Sequence, residues 1–399
     1  MSASWPDPVA AAALRSADIA ARAPEIEAAR RLPADLAASL SADGLMHLFL
    51  PAACGGPEVP PAHALAAIRA LAQADGATGW CAMIASTSAL TAAYLPPDAA
   101  ARIFAPATGG PGAGGPPIVG GVYAPFGRAR PDGAAGHRLT GRWPWASGSA
   151  NCRWLLGGAL VAPDDRQARD ASAGRRPEMR LFLFPADQAR LHDTWDAAGL
   201  CGTGSGDIEV ADIAVPAGHS LSLTGGRPMV DTPLYAFPIF GLLALGVASV
   251  AMGIAAGALA DLKALAQAKR PQGSRRSLAE RPHVQAEVAA CEAEWQAALA
   301  LIEAVVAEAW DTAETGAGEL TVDHRARLRL AAVHATGTAE AVTGRMYRLA
   351  GGNAVFRSHP LQRRLRDVNT ATQHVMVTQP VLETVGRVLL GQEVDVAEL

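Results

Sequence analysis

The sequence predicts a mainly α-helical fold with a β-domain at its centre. Residues 8–105 are rich in Ala and Leu at helix-like spacing, short apolar runs broken by Gly, Pro and Asp occupy residues 118–222, and helix-like patterns return at 233–391. Because the 399-residue chain is 50% hydrophobic and 18% charged, it can bury a large core. We therefore expect an N-terminal helical domain (1–117), a central β-domain (118–228) and a C-terminal helical bundle (229–399).

The helical regions are indicated by apolar spacing and by helix-forming composition. In the N-terminal domain, one apolar face is formed by Leu36, Leu40, Leu45 and Leu48. Residues 64–74 are strong helix formers, and the Gly- and Pro-rich stretch at 105–117 predicts a linker. In the C-terminal bundle, the pattern predicts helices at 236–268, 282–311, 324–350 and 362–390, the last interrupted at Pro380.

The central domain has the composition of a small sheet or barrel. Apolar runs of strand length occur at residues 118–119, 154–156, 181–184 and 208–215. Residues 163–177 are charged and rich in Gly and Ala, which predicts an exposed hairpin or loop insertion.

One uncharged segment, residues 236–260, is long enough to cross a bilayer and contains a G-x-x-x-G at Gly253 and Gly257. It is rich in Ala and Gly and has no basic flanks, so we favour a helix buried in a bundle or between subunits. A membrane protein remains an alternative that rests on this segment alone.

Composition argues against several classes of protein. A net charge of -4 gives no electrostatic reason to expect nucleic acid. The five cysteines are odd in number, far apart and without a C-x-x-C pair, which argues against a disulfide framework or zinc site and favours a reducing cytoplasm. The N-terminus lacks a signal-peptide pattern, and the histidines lack metal-ligand spacing, so we expect no metal.

The C-terminal segment carries the most specific pattern: Gly351-Gly352-Asn353, then Pro360, then Arg366-Asp367. It resembles the flavin-binding signature of the acyl-CoA dehydrogenase fold, and the order of helical domain, β-domain and four-helix bundle extends that resemblance over nearly the whole chain. Where such a dehydrogenase carries its catalytic glutamate, this chain has Ser358, whose hydroxyl cannot remove the α-proton of an acyl thioester. With His374 seven residues after Asp367, the pattern resembles the oxygenase components of two-component flavin monooxygenases.

The resemblance implies a set of residues at the flavin ring. Trp145, Ser147 and Gly148 lie in a stretch where the family places a hydroxyl and a backbone N–H at the ring edge, with Ser147 in a catalytic role. The Gly-rich segment 200–207 precedes a strand rather than a helix, so it is no dinucleotide fingerprint. It resembles the family stretch near the flavin, which implies cofactor contacts by Thr203 and Ser205. Polar hairpin turns are the alternative for both segments.

The resemblance places other cofactor contacts farther along the chain. Arg275 and Arg276 belong to a basic cluster between two helices, where the family meets the flavin phosphates across a subunit boundary. Gly351 and Gly352 let a backbone approach a ligand, and Arg366 is a third arginine for the cofactor. The alternatives are a solvated loop for the cluster and a structural ion pair for Arg366 with Asp367.

Substrate contacts are implied at Trp80, Ser358, His359 and Thr370, with His374 as the catalytic residue. Thr370 and His374 are four apart and would share one helix face. Related hydroxylases carry a histidine here that is proposed to deprotonate a phenol, a role that suits the pKa of an imidazole.

The implied function is a monooxygenase that takes FADH2 or FMNH2 from a separate NAD(P)H:flavin reductase and reacts with O2. A C4a-hydroperoxyflavin would then oxygenate a small aromatic substrate. The uncharged helix would assemble a homotetramer. Two alternatives stay open: an acyl-CoA dehydrogenase-like flavoprotein with a displaced base, and a non-catalytic flavin- or acyl-binding protein.

Overall fold

The computed structural model of the protein describes residues 5–106, 115–162, 178–223, 226–316, 320–395 and 399. Most of the predicted linker, residues 107–114, and the predicted loop at 163–177 lie outside the described residues. The N-terminal region is helical, with α1 (Pro8–Ala29), α2 (Ala34–Ala42), α3 (Pro61–Ala74), α4 (Gly76–Ala89) and α5 (Pro97–Ile103). Helix α4 begins at Asp75, whose carboxylate accepts the backbone N–H of Thr78 at 2.8 Å and so caps the helix.

The strands form one mixed sheet. They are β1 (Val119–Pro131), β2 (Gly136–Trp143), β3 (Trp154–Val161), β4 (Glu178–Pro185), β5 (Arg190–His192), β6 (Asp207–Pro216) and β7 (Ser220–Leu221). Their order is β5-β6-β2-β1-β3-β4-β7, and every described pairing is antiparallel except that of β1 with β3. The predicted fold class, helical with a central sheet, is confirmed.

Two features mark the sheet: a tryptophan buried among its own strands and a bulge of β1 that meets α4. Trp143 is fully buried and donates its indole N–H to the carbonyl of Gly158 at 2.7 Å. The pairing of β1 with β3 shifts register between Val122 and Gly127, so the intervening residues bulge out of the sheet. The hydroxyl of Tyr123 ties this bulge to α4 by donating to the carbonyl of Thr87 at 2.9 Å.

The C-terminal region contains α6 (Pro233–Ala236), α7 (Ile239–Ala268), α8 (Pro282–Thr315), α9 (Val322–Ala350), α10 (Pro360–Ala371) and α11 (Gln379–Leu389). Helix α7 is the core of this bundle and packs against α3, α9 and α10. Among the described residues, α7 is the one helix that is long and apolar enough to cross a membrane. However, 83% of its most apolar 18-residue stretch is buried inside the chain. That packing supports the predicted buried helix.

The prediction for the last helix, 362–390, is wrong about where the helix is interrupted, and this matters for the site. Helix α10 ends at Ala371, and α11 begins at Gln379, so the break precedes Pro380. Pro380 lies in the first turn of α11, where its missing N–H costs no hydrogen bond. His374 therefore lies in the connection between the two helices rather than on the helix face with Thr370.

Candidate active site

A chain of hydroxyl groups joins α4 to the sheet. The indole N–H of Trp80 donates to Ser147 Oγ at 3.0 Å, Ser147 Oγ is 2.6 Å from Ser205 Oγ, and Ser205 Oγ is 2.6 Å from Thr203 Oγ1. Thr203 Oγ1 then donates to the carbonyl of Leu200 at 2.7 Å. The four side chains of Trp80, Ser147, Thr203 and Ser205 are all buried.

The two ends of this chain fix the direction of every proton in it. An indole N–H can only donate and a carbonyl oxygen can only accept, and each hydroxyl has a single proton. Because Thr203 donates to Leu200, it accepts from Ser205, which in turn accepts from Ser147. Ser147 therefore uses its proton on Ser205 and can offer a further ligand only a lone pair.

The turn that carries Ser147 is bound to the segment that carries Ser205. Gly148 N donates to the carbonyl of Thr203 at 2.8 Å, and Ala146 N donates to that of Gly206 at 3.0 Å. Trp145 has φ of 66°, a left-handed conformation that costs a bulky residue energy and that clusters at functional sites.

Trp145 is also the exposed aromatic side chain beside this turn. It is 61% exposed and packs edge-on against Phe126, which is 48% exposed and comes from the bulge of β1, with 6.1 Å between ring centroids. Exposed aromatic rings beside a buried hydroxyl form a wall suited to a flat ligand. The sequence predicted Trp145 but not Phe126.

Leu200 connects this site to α10. It has φ of 49°, and its carbonyl accepts from Thr203 and from the indole of Trp195 at 3.0 Å. Its N–H donates to Asp367 Oδ1 at 2.6 Å. Hydrogen bonds to its N–H and its carbonyl thus hold Leu200 in an unfavourable conformation. Asp367 supports the hydroxyl chain by fixing Leu200, whose carbonyl ends that chain.

Asp367 and Asp75 are two buried carboxyl groups at this point. Burial, followed by the charge of Asp75, raises the pKa of Asp367 to about 7. Burial likewise raises the pKa of Asp75, against the hydrogen bonds from Thr78 that lower it. Two carboxyls that disfavour each other's charge retain a proton into the neutral range.

His374 meets the hydroxyl chain through Trp80. The two rings contact edge to face, with 5.6 Å between centroids. His374 Nδ1 accepts the backbone N–H of Met376 at 3.3 Å, so the neutral ring carries its proton on Nε2. Burial, with a smaller contribution from Arg329, lowers the pKa of His374 to about 4, so the ring is uncharged at neutral pH.

Of the other predicted substrate residues, Thr370 lies at the end of α10 nearest His374, whereas Ser358 and His359 lie at the opposite end. The hydroxyl of Thr370 is bonded within its helix to the carbonyl of Arg366 at 2.9 Å. Ser358 is exposed, and His359 caps the start of α10 through its Nδ1. Helix α10 has 12 residues and is about 18 Å long, so its two ends are well separated.

Predicted cofactor residues gather at the start of α10. Lys269 donates to the carbonyl of Ala350 at 2.5 Å, which joins the end of α7 to Gly351. Gly351 and Gly352 are exposed, and so are Arg275 and Arg276 in the connection that follows α7.

Arg366, a predicted cofactor residue, joins α10 to α1 in the ligand-free chain. Its Nε donates to Gln362 at 2.8 Å, and its two other nitrogens donate to the carbonyl of Ala198 and to Glu27, both at 2.5 Å. All three nitrogens are thus bonded to the protein. The partner of Arg366 is Glu27 on α1 rather than Asp367.

Comparison with known proteins identifies the family. The descriptions "Acyl-CoA dehydrogenase, N-terminal domain" and "Acyl-CoA dehydrogenase, C-terminal domain" match residues 10–96 and 245–379. The FADH2-dependent resorcinol hydroxylase, oxygenase component, of Rhizobium sp. (strain MTP-10005) is 30% identical over 386 residues, with 92% of this chain and 90% of that protein covered. The chain belongs to the flavin-dependent monooxygenases of the acyl-CoA dehydrogenase fold.

Further relatives agree with this assignment. The indole-3-acetate monooxygenase of Pseudomonas putida is 29% identical over 376 residues, with 94% of this chain and 91% of that protein covered. The crystal structure of the 3-HSA hydroxylase from Rhodococcus sp. RHA1 has the same fold, with a TM-score of 0.89 at 24% identity over 99% of each chain. As an oxygenase component, this flavin-dependent monooxygenase works with a separate reductase.

The residues at the hydroxyl chain fit a flavin ring. Ser147 keeps a lone pair available, and Trp145 and Phe126 provide an exposed aromatic wall beside it. No group of His, Cys, Asp and Glu able to hold a metal occurs in the part of the chain that the structure describes. Sequence reasoning missed Phe126, Leu200 and Arg329, because a bulge, a left-handed leucine and an unpaired buried arginine have no motif.

Proposed function

We propose that this flavin-dependent monooxygenase uses externally supplied FADH2 or FMNH2 and O2 to oxygenate a small aromatic substrate beside Trp80. The observation that carries the proposal is the continuous contact from His374 through Trp80 to Ser147. It joins a neutral imidazole, an aromatic ring and a hydroxyl suited to the flavin edge. When bound, the reduced flavin activates O2 and supplies the electrons.

Ser147 would favour the reduced cofactor. Its proton is bonded to Ser205, so it offers an acceptor, and the N5–H of a reduced flavin is a donor while the N5 of an oxidised flavin is not. Ser205→Ala frees the proton of Ser147 and should narrow the preference for FADH2 over FAD by at least about tenfold. Equilibrium binding of both flavins measures it, with Ser16→Ala as the matched serine control, because the hydroxyl of Ser16 bonds only within α1 to the carbonyl of Ala12.

His374 would hold the substrate by donating a hydrogen bond from Nε2. Acting as a base requires a free ring nitrogen, and Nδ1 is bonded to Met376. A neutral imidazole whose pKa is lowered to about 4 is also a weak acceptor for a phenolic proton. The geometry therefore favours His374 as a hydrogen-bond donor to the substrate over the role of general base that the resemblance implies.

The decisive experiment is anaerobic titration of the protein with FADH2 and with FMNH2, followed by O2 and an aromatic probe. Indole-3-acetate and resorcinol are suitable probes, since relatives are named for them. We expect oxygenated product and little free hydrogen peroxide. If every electron pair appears as peroxide with aromatic probes while an acyl-CoA reduces the bound flavin, the dehydrogenase alternative replaces the proposal.

The two groups of predicted cofactor residues support an oligomer, which we propose is a homotetramer. Ser147 lies in the connection between β2 and β3, whereas Arg275 and Arg276 lie between α7 and α8, and Gly351 follows α9. A flavin held at its ring by one chain and at its phosphates by a partner chain would use both groups. Helix α7, which is largely buried and carries no charge before Asp261, provides with its neighbours the helical bundle for such assembly.

Mixing two inactive variants tests the shared site. One variant is Ser147→Ala, and the other replaces both Arg275 and Arg276 by Glu. In a mixed pair of subunits, one of the two shared sites regains a full set of residues, so coupled oxygenation should rise above that of either variant. Sites built within one chain would regain nothing, and a stable monomer in sedimentation would also oppose the proposal.

A further inference from the structure

Arg329 on α9 is a buried cation without an acidic partner. Arg329 is only 4% exposed, and its Nε has no hydrogen-bond partner. Nη1 donates to the carbonyl of Phe240 at 3.2 Å and lies 3.4 Å from Met376 Sδ. Within the described residues, no carboxylate forms an ion pair with this guanidinium.

An arrangement of this kind is costly for the fold. Buried charges are normally paired, because the interior solvates them poorly. Burial lowers the pKa of Arg329 to about 10, so the group still carries its charge at neutral pH. One carbonyl and one thioether leave most of its donors without the anion that a guanidinium fork binds best.

Arg329 also lies beside the candidate substrate position. It contacts Met376, whose backbone N–H bonds to His374, and His374 contacts Trp80. Its charge contributes to the lowered pKa of His374, which places the two side chains in one electrostatic environment. An anion bound at Arg329 would therefore lie close to the ring that is oxygenated.

We propose that Arg329 binds a carboxylate carried by the substrate, so that the natural substrates are small aromatic acids. This inference rests on the proposed function, because the bound acid is a substrate only if the protein oxygenates it. The guanidinium would receive the carboxylate through charge-assisted hydrogen bonds and orient the ring toward His374 and Trp80. The unpaired state of Arg329 in the ligand-free chain then reflects the ligand it is built to bind.

The test compares acids with their uncharged amides in the flavin-free protein. Thermal unfolding is followed with indole-3-acetate and phenylacetate, and with indole-3-acetamide and phenylacetamide, at equal ionic strength. A ligand that binds the folded protein raises the melting temperature. We expect at least one acid to bind about tenfold or more tightly than its amide. Equal effects of acid and amide, or no effect of either acid, overturn the inference.

Variants assign the effect to this side chain. Arg329→Met keeps the length of the side chain without its charge and should abolish the preference for the acid. Arg329→Lys keeps the charge without the fork and should retain part of it. The matched control is Arg327→Met on the same helix, because Arg327 is exposed and paired with Glu308. A preference that survives in Arg329→Met, or one that is lost in Arg327→Met, contradicts the assignment.

Two further measurements distinguish a carboxylate site for the substrate from a purely structural arginine and from a site for any small anion. If Arg329 is only structural, Arg329→Met lowers the melting temperature of the ligand-free protein, whereas we expect it unchanged or higher. If acetate stabilises the protein as much as the aromatic acids, the site binds any small anion, and the inference fails. Acid binding that depends on Arg329 without oxygenation would refute the proposed function and leave the binding site standing.

Discussion

Replacing Asp367 by Asn should remove a defined part of the protein's pH dependence. Asp367 accepts the N–H of Leu200 at 2.6 Å, and an Asn oxygen can keep that bond. What Asn removes is the ionisable group whose pKa burial and Asp75 raise to about 7. The variant therefore separates the support of Leu200 from the cost of a buried charge.

The sign and size follow from proton linkage. The folded carboxyl holds its proton up to about pH 7, whereas the carboxyl of the unfolded chain loses its proton near the ordinary aspartate pKa of 3.8. Its contribution to stability is fully present below about pH 4 and is lost as pH rises through about 7. Between pH 5 and pH 7 the excess of protons bound by the folded state falls from about one to about one half, so at 1.36 kcal/mol per proton and pH unit the wild type loses about 2 kcal/mol.

Thermal unfolding at pH 5, 6 and 7 measures this loss. With an unfolding entropy of about 2.1 cal/mol/K per residue, a loss of about 2 kcal/mol corresponds to about 3 °C for a chain of this length. The melting temperature of the wild type should fall by that amount relative to Asp367→Asn as pH rises. Because the other groups titrate alike in both proteins, the difference isolates Asp367. Parallel curves for the two proteins would show that Asp367 is ionised throughout and that the reasoning is wrong.

Three further predictions concern the active site. Ser147→Ala removes the acceptor for the flavin edge, and the ratio of oxygenated product to hydrogen peroxide should fall about tenfold; an unchanged ratio would remove Ser147 from the cofactor site. His374→Asn should still bind reduced flavin but oxygenate at least about tenfold more slowly, and His374→Gln, whose amide N–H reaches the position of Nε2, should retain more activity in rapid-mixing kinetics; equal losses would favour a base. Trp80→Phe keeps the ring beside His374 but leaves Ser147 without its donor, so it should cost about 1–3 kcal/mol in denaturant unfolding, and no loss would question that bond.

The sequence identified the residues that meet in space better than it identified the elements that carry them. Trp80, Ser147 and His374 are distant in the chain, and the family resemblance alone joined them. The same reasoning placed His374 on a helix with Thr370, because periodicity continues past the point where hydrogen bonds stop. The backbone N–H of Met376 bonds to the His374 side chain instead, and this local competition ends regular structure without a Gly or Pro signal.

Other features could not be predicted because they depend on the partner rather than on the residue. Arg366 and Arg329 look alike in sequence, yet Arg366 meets Glu27 and Arg329 meets no acid in the described residues. Leu200 adopts a left-handed conformation that no propensity favours, and it is held there by local hydrogen bonds to its carbonyl and by one tertiary hydrogen bond to Asp367. Residue spacing predicts which face of a helix or strand a side chain occupies, but it does not predict which residues of other elements pack against that face.

The hydrogen-bond character of the site gives it a means of keeping its two ligands apart. On the cofactor side, Ser147 can only accept, because its proton is committed to Ser205. On the substrate side, His374 presents Nε2–H and Arg329 presents unpaired N–H groups, which can only donate. A reduced flavin edge in the substrate position would set donor against donor, and a carboxylate at Ser147 would set acceptor against acceptor. Because buried mismatches of this kind are penalised, we expect each side of the site to reject the ligand of the other.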